Sequence, residues 1–555
     1  MLIKLAGARV IDPGNGVNGE IRDIFIRDGR IVANPGTKPD RIHDLTDKIA
    51  MAGAIDMHSH VSGGKVNIAR ALLPEEHRRV QRPRKNGRRA GTGDATATTF
   101  MTGYRYAEMG YTAAFEPAMV PVNARQNHIE MCDIPMIDKG TYVLLGNDDY
   151  MLRAIAGNKP QAFINDYVAW ILHSTQSLAI KIVNAGGISA FKFNGRSLDL
   201  DEAGPYYGNT PRKILQTIAR AVHELGVPHP VHIHGCNLGV PGNYETTLKT
   251  ISGVEGLPIH LTHIQFHSYG TEGDRKFSSA AAQIAEAVNR TKNVSIDVGQ
   301  IMFAQTVTAS GDTMAQYRNR VFAKPKKWVC MDIECEAGCG LVPFKYRDQN
   351  FVNAVQWAIG LELFLLVDDP WRIFLTTDHP NGAPFIFYPH LIRLLMDKTF
   401  RNEMLGRINK DAAALSSLGS LTREYSLYDI AILTRAGPAK ILGLADRGHL
   451  GPGAGADITV YAEHEDKERM FGRPDYVFKD GEMVVRDGEI IAETWGGTHV
   501  VRPEFDRASI ESDLSGYFDR YLGMSMEHFR FSEAELADQN RFRSIVQPCR
   551  KSDRS

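Results

Sequence analysis

His58 and His60 close the apolar run AIDMHSH with a single serine between them. Side chains two apart on an extended strand project to the same face. The two imidazoles would therefore meet at the strand's end, and neutral imidazole is a common ligand for zinc and related ions. A polar strand end with two unrelated surface histidines has the same pattern, so the pair acquires meaning only if further ligands accompany it. Four other apolar runs carry metal-competent residues: Lys181 in LAIKIVNAGG, His232 or His234 in HPVHIHG, His263 in LPIHLTHIQ and Asp378 in WRIFLTTDHP. Singly, each has a plain structural explanation as a hydrogen-bonded core histidine, an ion-paired lysine or a turn aspartate. Their joint order along the chain points to a metal centre.

Such residues need a scaffold that brings distant strand ends to one place. With AGAIDMHSH, TAAFEPAM, TYVLLGND and NVSIDVGQ, the apolar runs number eight, and segments of helical period separate them. Near-continuous hydrophobicity is expected of parallel strands buried on both faces. Eight of them predict an α/β fold, a (β/α)8 barrel, whose catalytic groups sit at the C-terminal strand ends. ISAFKFNG, from Ile188, is a possible ninth run and offers Lys192 as a rival to Lys181. Near the N-terminus, DIFIRDGRIVA reads as a hairpin around Asp28-Gly29, a dipeptide suited to a type I′ turn. DYVFKDGEMVVRDGEIIA, from Asp475, repeats the pattern twice. A small sheet domain assembled from both ends of the chain is therefore expected, followed after about residue 500 by a partly helical tail.

The 555 residues are 43% apolar and 23% charged, an ordinary soluble globular composition. Lys and Arg total 64 against 65 Asp and Glu, so no global field points to nucleic acid or to an acidic membrane. Six cysteines in so long a chain do not make a disulfide scaffold. Cys330, Cys335 and Cys339 cluster at a spacing that fits neither zinc pairs nor ferredoxin runs. No signal peptide opens the sequence, and its longest apolar run, AVQWAIGLELFLLV, is too short to span a bilayer and contains Glu362. A cytoplasmic location is expected.

HxH on strand one, lysine on four, histidine on five and six and aspartate on eight resembles the two-metal form of the amidohydrolase superfamily. That superfamily joins the barrel to a β-sandwich made from both termini. MHSHVSGGKVN, TTFMTGYRYAEMGYT, STQSLAIKIVNAGG, HGCNLGVPGNYETTL, THIQFHSYG, VQWAIGLELFLL and TTDHPNGAPF resemble one branch in particular. It comprises the A-type subunits of formylmethanofuran dehydrogenase and their counterparts in the formyltransferase/hydrolase complex of methylotrophs. The resemblance implies β-sandwich parts at 1–50 and 426–500, a metal-dependent barrel at 51–425 and an extension at 501–555.

Carried onto this sequence, the resemblance implies two zinc ions. His58 and His60 would bind one and His232 and His263 the other, with Asp378 completing the site. His232 is preferred to His234 because it follows the apolar residue that ends the core run. Lys181 would bridge both ions as an N6-carboxylysine, formed when a buried, neutral amine adds CO2. The implied reaction is hydrolysis of a formamide on a methanofuran-type C1 carrier to formate and free amine. Asp378 would take the water's proton and pass it to the amine. Partners would be a formyltransferase and the B- and C-type subunits of the same complex. Lys65, His267, Arg88 and Arg89 are candidate substrate contacts. The basic segment from Arg78 to Arg89 is either a collar for the carrier's polyglutamate tail, a contact for another subunit or a solvated loop. Arg outnumbers Lys and Glu is not in excess, which favours a mesophile's hydrolase complex over a dehydrogenase complex running formate condensation. A dihydropyrimidinase-like cyclic amidase shares the metal pattern, and a scaffold that had lost its ligands would not.

Overall fold

Eight parallel strands pair in chain order: Ala54–Asp56, Tyr111–Met119, Asp138–Leu144, Ala179–Val183, Val231–His234, Ile259–Leu261, Val294–Asp297 and Ile373–Phe374. Just beyond the first and last of these, a parallel bridge between Ser59 and His379 joins strand one to strand eight, and the His60 amide donates to the His379 carbonyl at 2.8 Å. In the closed (β/α)8 barrel each of the eight strands thus overlaps one of the apolar runs read from the sequence, strand three starting three residues earlier than its run. Every residue of Tyr111–Met119 is buried, as a strand covered on both faces requires. This computed structural model describes residues 1–85, 88–186, 198–204, 207–310, 333–334, 340–537 and 542–550. ISAFKFNG with Lys192, and the cysteines Cys330, Cys335 and Cys339, lie outside the described residues.

The crossover helices follow from local sequence. Pro211–Glu224 starts on Thr210, whose side chain accepts the Lys213 amide, with Pro211 in the first turn where no amide is needed. Ile214, Leu215, Ile218 and Val222 form its buried stripe against the sheet. No helix among the described residues is long and apolar enough to cross a membrane.

A second sheet of nine strands draws Leu2–Asp12, Val17–Arg27, Arg30–Val32, Arg41–Asp44 and Lys48–Ala52 from the N-terminus. Ile458–Ala462, Tyr476–Lys479, Glu482–Arg486 and Glu489–Ile490 complete it, and the two sets meet where Ile458 pairs with Ala52. Its hairpins turn at Asp28-Gly29, Asp480-Gly481 and Asp487-Gly488, with φ of +51° and +76°, +47° and +80°, and +51° and +73°. Two consecutive positive φ values are what a type I′ turn demands, and Asp-Gly supplies them at low steric cost. The late strand Thr498–Val501 belongs elsewhere. It pairs in parallel with barrel strand three through Lys139, and Ser544–Gln547 pairs with it in turn. Between them, helix Arg507–Tyr521 lies beside Gln161–Ser174, where Trp170 donates to Glu511 at 3.3 Å.

A buried cluster of charges fastens these parts together. Asp138, which opens barrel strand three, accepts from Arg447 at 2.7 Å, lies 3.1 Å from Lys479 of the terminal sheet and 3.4 Å from His499. Asp457 shares both cations, at 3.1 Å from Arg447 and 3.0 Å from Lys479. Burial opposes ionisation of Asp138, but Lys479 and Arg447 outweigh it and hold the carboxyl well below its usual range. Removing one member of a buried ion network strands its partners in a low dielectric, at a cost of about 3–5 kcal/mol. Lys479→Met should lower stability by that order in denaturant titrations. Lys4→Met, which breaks the partly exposed pair with Asp23, should cost no more than about 1 kcal/mol.

Candidate metal centre

His58 and His60 leave strand one on the same side and are both buried. His58 Nε2 lies 2.9 Å, and His60 Nε2 3.4 Å, from the same oxygen of Asp378, Oδ1. One ligand atom from each of these three residues falls within 4.8 Å of the others. The far nitrogen of His60 is already committed. Its Nδ1 lies 2.9 Å from Glu116 at the end of strand two, and Glu116 also accepts the Val61 and Ser62 amides at 2.9 and 3.2 Å. Glu116 therefore fixes both the ring and the loop that carries it, leaving Nε2 to face the centre.

On strand five, His232 and His234 share a face but serve different layers. His232 has both nitrogens engaged, Nε2 at 2.8 Å from His58 Nδ1 and Nδ1 at 3.0 Å from His229 Nε2. It lies in a deeper layer with His260 and Asp297, whose carboxylate is 3.0 Å from His260 and 3.8 Å from His232. His234 is one step closer to the barrel mouth. Its Nε2 has no hydrogen-bond partner, and neither has His263 Nδ1 nor either nitrogen of His267. One ligand atom from each of these three histidines lies within 4.8 Å of the others. The geometry thus groups His263 with His234 and His267, whereas His232 falls in a separate group with His58 and Asp297, whose ligand atoms also lie within 4.8 Å of one another.

Lys181 is buried in the barrel interior, where Cα pairing sets it beside His232. Burial, and after it the Lys181 charge, holds His58 and His232 below the ordinary histidine range. The same two causes push His267 down to about 3. Burial lowers His263 as well, with Asp378 opposing it. Neutral rings are the form that ligates metals. For Asp378 burial works against the anion, but His263 and His58 outweigh it and keep the carboxyl well below its usual range.

The strand ends that carry these groups have unusual backbones. Asn184, His263 and Asp378 have φ of +43°, +37° and +50°. Asn, Asp and His tolerate this region better than other non-glycine residues, and such backbones recur at functional sites as well as in turns. Asp297 helps to hold these backbones. It accepts the His263 amide at 3.0 Å and the Thr376 hydroxyl at 2.7 Å, tying strands six, seven and eight. Gly299 does the rest by absence, since a Cβ there would sit 2.4 Å from that of His263.

Of the other expected contacts, Lys65 is half-buried on helix Gly63–Leu72, close enough for its charge to act on His60 and His234. Arg89 has its guanidinium over the Phe100 and Trp495 rings at 4.5 and 5.5 Å. Arg88 is half-buried in the same segment, and Arg78, Arg79, Arg84 and Lys85 are exposed. Glu116, Asp297 and His229 escaped the sequence reading. The available signal was a lone acid inside an otherwise apolar barrel strand, as in TAAFEPAM and NVSIDVGQ.

Buried ring nitrogens without partners are costly unless something satisfies them. Here they converge with a carboxylate at the C-terminal end of a barrel, a donor set that fits divalent zinc. The profile of the Amidohydrolase family matches residues 41–492, and the chain belongs to that family as a metal-dependent amidohydrolase. Over 543 residues it is 42% identical to the A-type subunit of the formyltransferase/hydrolase complex Fhc of Methylorubrum extorquens, covering 97% of this chain and 98% of that relative. It is 41% identical over 546 residues to protein FwdA of Methanocaldococcus jannaschii, covering 94% and 95%. The crystal structure of the complex FhcABCD from Methylorubrum extorquens with methylofuran contains a chain that superposes with a TM-score of 0.92 at 40% identity, covering 99% of this chain and 100% of that one. The branch that the sequence motifs resemble is the branch to which the chain belongs.

Glu116→Gln keeps an oxygen for the Val61 and Ser62 amides but removes the charge behind His60. Metal affinity should fall about 10- to 100-fold, the usual effect of losing such a support, in chelator competition followed by elemental analysis.

Proposed function

We propose that the chain hydrolyses the formamide C–N bond of a formylated C1 carrier, methanofuran or its methylotroph analogue, to formate and the free amine. The carrying observation is the convergence of neutral, unpartnered imidazoles with an ionised Asp378 in a chain that matches the A-type Fhc protein over nearly its whole length. His58, His60 and Asp378 would hold one zinc ion, and His263 a second together with His234, which is preferred to His232 because its Nε2 has no partner and it groups with His263. Carboxylated Lys181 would bridge the two. Bound there, zinc would supply Lewis-acid polarisation of the formyl oxygen and an acidified water.

The remaining steps belong to the protein. Asp378, ionised despite burial, accepts the proton of the attacking water and returns it to the carrier nitrogen as the C–N bond breaks. Glu116 and His232 hold the His60 and His58 rings in one orientation throughout. Atoms balance as formamide plus water giving formate and a protonated amine. Half-buried Lys65 would meet the anionic carrier. The chain would work in the cytoplasm as the hydrolase component of a complex with a formyltransferase and companion subunits. The 41% identity to FwdA supports a second reading, in which the same groups run the reverse condensation of formate with the amine.

Purified protein should contain close to two zinc ions per chain. Asp378→Asn should then lower kcat for formate release by about 10²- to 10⁴-fold, the usual loss of a general acid–base group, while at least one ion remains. Near-normal turnover by that variant, or efficient turnover of dihydrouracil or hydantoin by the native enzyme, would overturn this assignment.

Lys181→Ala should abolish activity, with partial recovery when short carboxylic acids are added to replace the missing carbamate. Recovery by zinc alone would show that Lys181 forms no bridge.

A further inference from the structure

The resemblance leaves His267 outside the metal set, and the structure does not. His267 ends the 3-10 turn Ile264–His267, four residues beyond His263, and is only 2% exposed. Neither of its ring nitrogens makes a hydrogen bond, although the Cys236 backbone comes near enough to favour a proton on the ring. Its ring stacks on His263 at 5.4 Å and 23°, while His234 stands nearly perpendicular to both, at 80° and 77°. Of the four histidines with an unpartnered buried ring nitrogen among the described residues, three are His234, His263 and His267, and the fourth is His128.

The turn is held as a ligand-bearing loop should be. Asn243 donates to the Phe266 carbonyl at 2.8 Å and accepts the Tyr269 amide at 3.0 Å. Thr247 donates to the His267 carbonyl at 2.9 Å, so the residues on both sides of the ring are fastened to one neighbouring segment. A buried imidazole held rigidly, with no side-chain partner, beside two others with open nitrogens is accounted for by one shared ligand. A cation accepting three lone pairs fits, and an anion would face nitrogens that need protons.

We infer that His267 is a metal ligand, so that the ion nearest strands five and six is held by three imidazoles, those of His234, His263 and His267. This rests on the metal centre proposed above and extends it. Three neutral ligands leave more of the ion's charge uncompensated than a carboxylate-rich shell does, which makes this ion the stronger Lewis acid of the pair. Imidazole ligation suits zinc, cobalt, nickel and copper rather than magnesium or calcium.

The test uses full-length protein stripped of metal and titrated with Co2+. Native protein should bind two ions, and X-ray absorption should count five imidazoles per ion pair rather than four. His267→Phe and His267→Asn should each weaken one of the two ions by at least about 100-fold in chelator competition, the upper end of the effect of losing a mere support. The other ion should stay bound, and circular dichroism of the metal-free variants should match native. Four imidazoles per pair in the native protein, or two ions of unchanged affinity in both folded variants, would overturn the inference and make His267 a substrate contact. Native protein that binds no metal at all would instead overturn the centre itself.

Discussion

A closed parallel barrel admits side chains to its interior only from alternate residues of each strand. That constraint stacks the polar groups of this protein in layers. Lys181, His232, His260, Asp297 and Thr376 lie below, and His60, His234, His263 and Asp378 lie above. His58 spans the two, 2.8 Å from His232 on one side and 2.9 Å from Asp378 on the other. In the lower layer His232, His260 and Asp297 are engaged by ring-to-ring and ring-to-carboxylate contacts. The upper layer is left with open nitrogens. The histidines of the lower layer therefore orient the rings above them.

The two ends of the barrel divide labour on the same physical grounds. At the N-terminal end, Asp138, Lys479, Arg447 and Asp457 neutralise one another and join barrel, terminal sheet and C-terminal strand. Buried charges there are complementary in number and leave nothing to bind. At the C-terminal end, left-handed backbone at Asn184, His263 and Asp378 holds groups in place around the open ring nitrogens. Strain and unsatisfied polarity at one end are tolerable because burial and ion pairing at the other are nearly complete. Metal binding to the folded state alone would recover part of that cost as stability.

Much of this architecture was legible in the residues. Eight apolar runs became the eight barrel strands because strands buried on both faces leave an unbroken hydrophobic signal. The three Asp-Gly dipeptides became hairpin turns because their backbone preference is local. HxH declared itself because a spacing of two has one geometric consequence on a strand. Less visible were Glu116 and Asp297, since an acid within an apolar run states that it needs a partner without naming which. The route of Thr498–Val501 into the barrel sheet was equally hidden, because its apolar alternation suits either sheet.

The sequence by itself thus determined the fold class, the terminal sheet and the presence of a histidine-rich centre, all consequences of short-range periodicity and turn chemistry. Sequence leaves His232 and His234 equivalent, since they share one strand and one face, and only the tertiary structure shows that their contacts differ. Their difference is depth, and depth is set by how neighbouring strands are staggered around the barrel. The same is true of His267, whose meaning comes from rings contributed by two different strands. It is also true of Arg89, whose guanidinium meets the Phe100 and Trp495 rings from distant parts of the chain. Chain order specifies which side chains face inward, and packing specifies which of those are left without a partner.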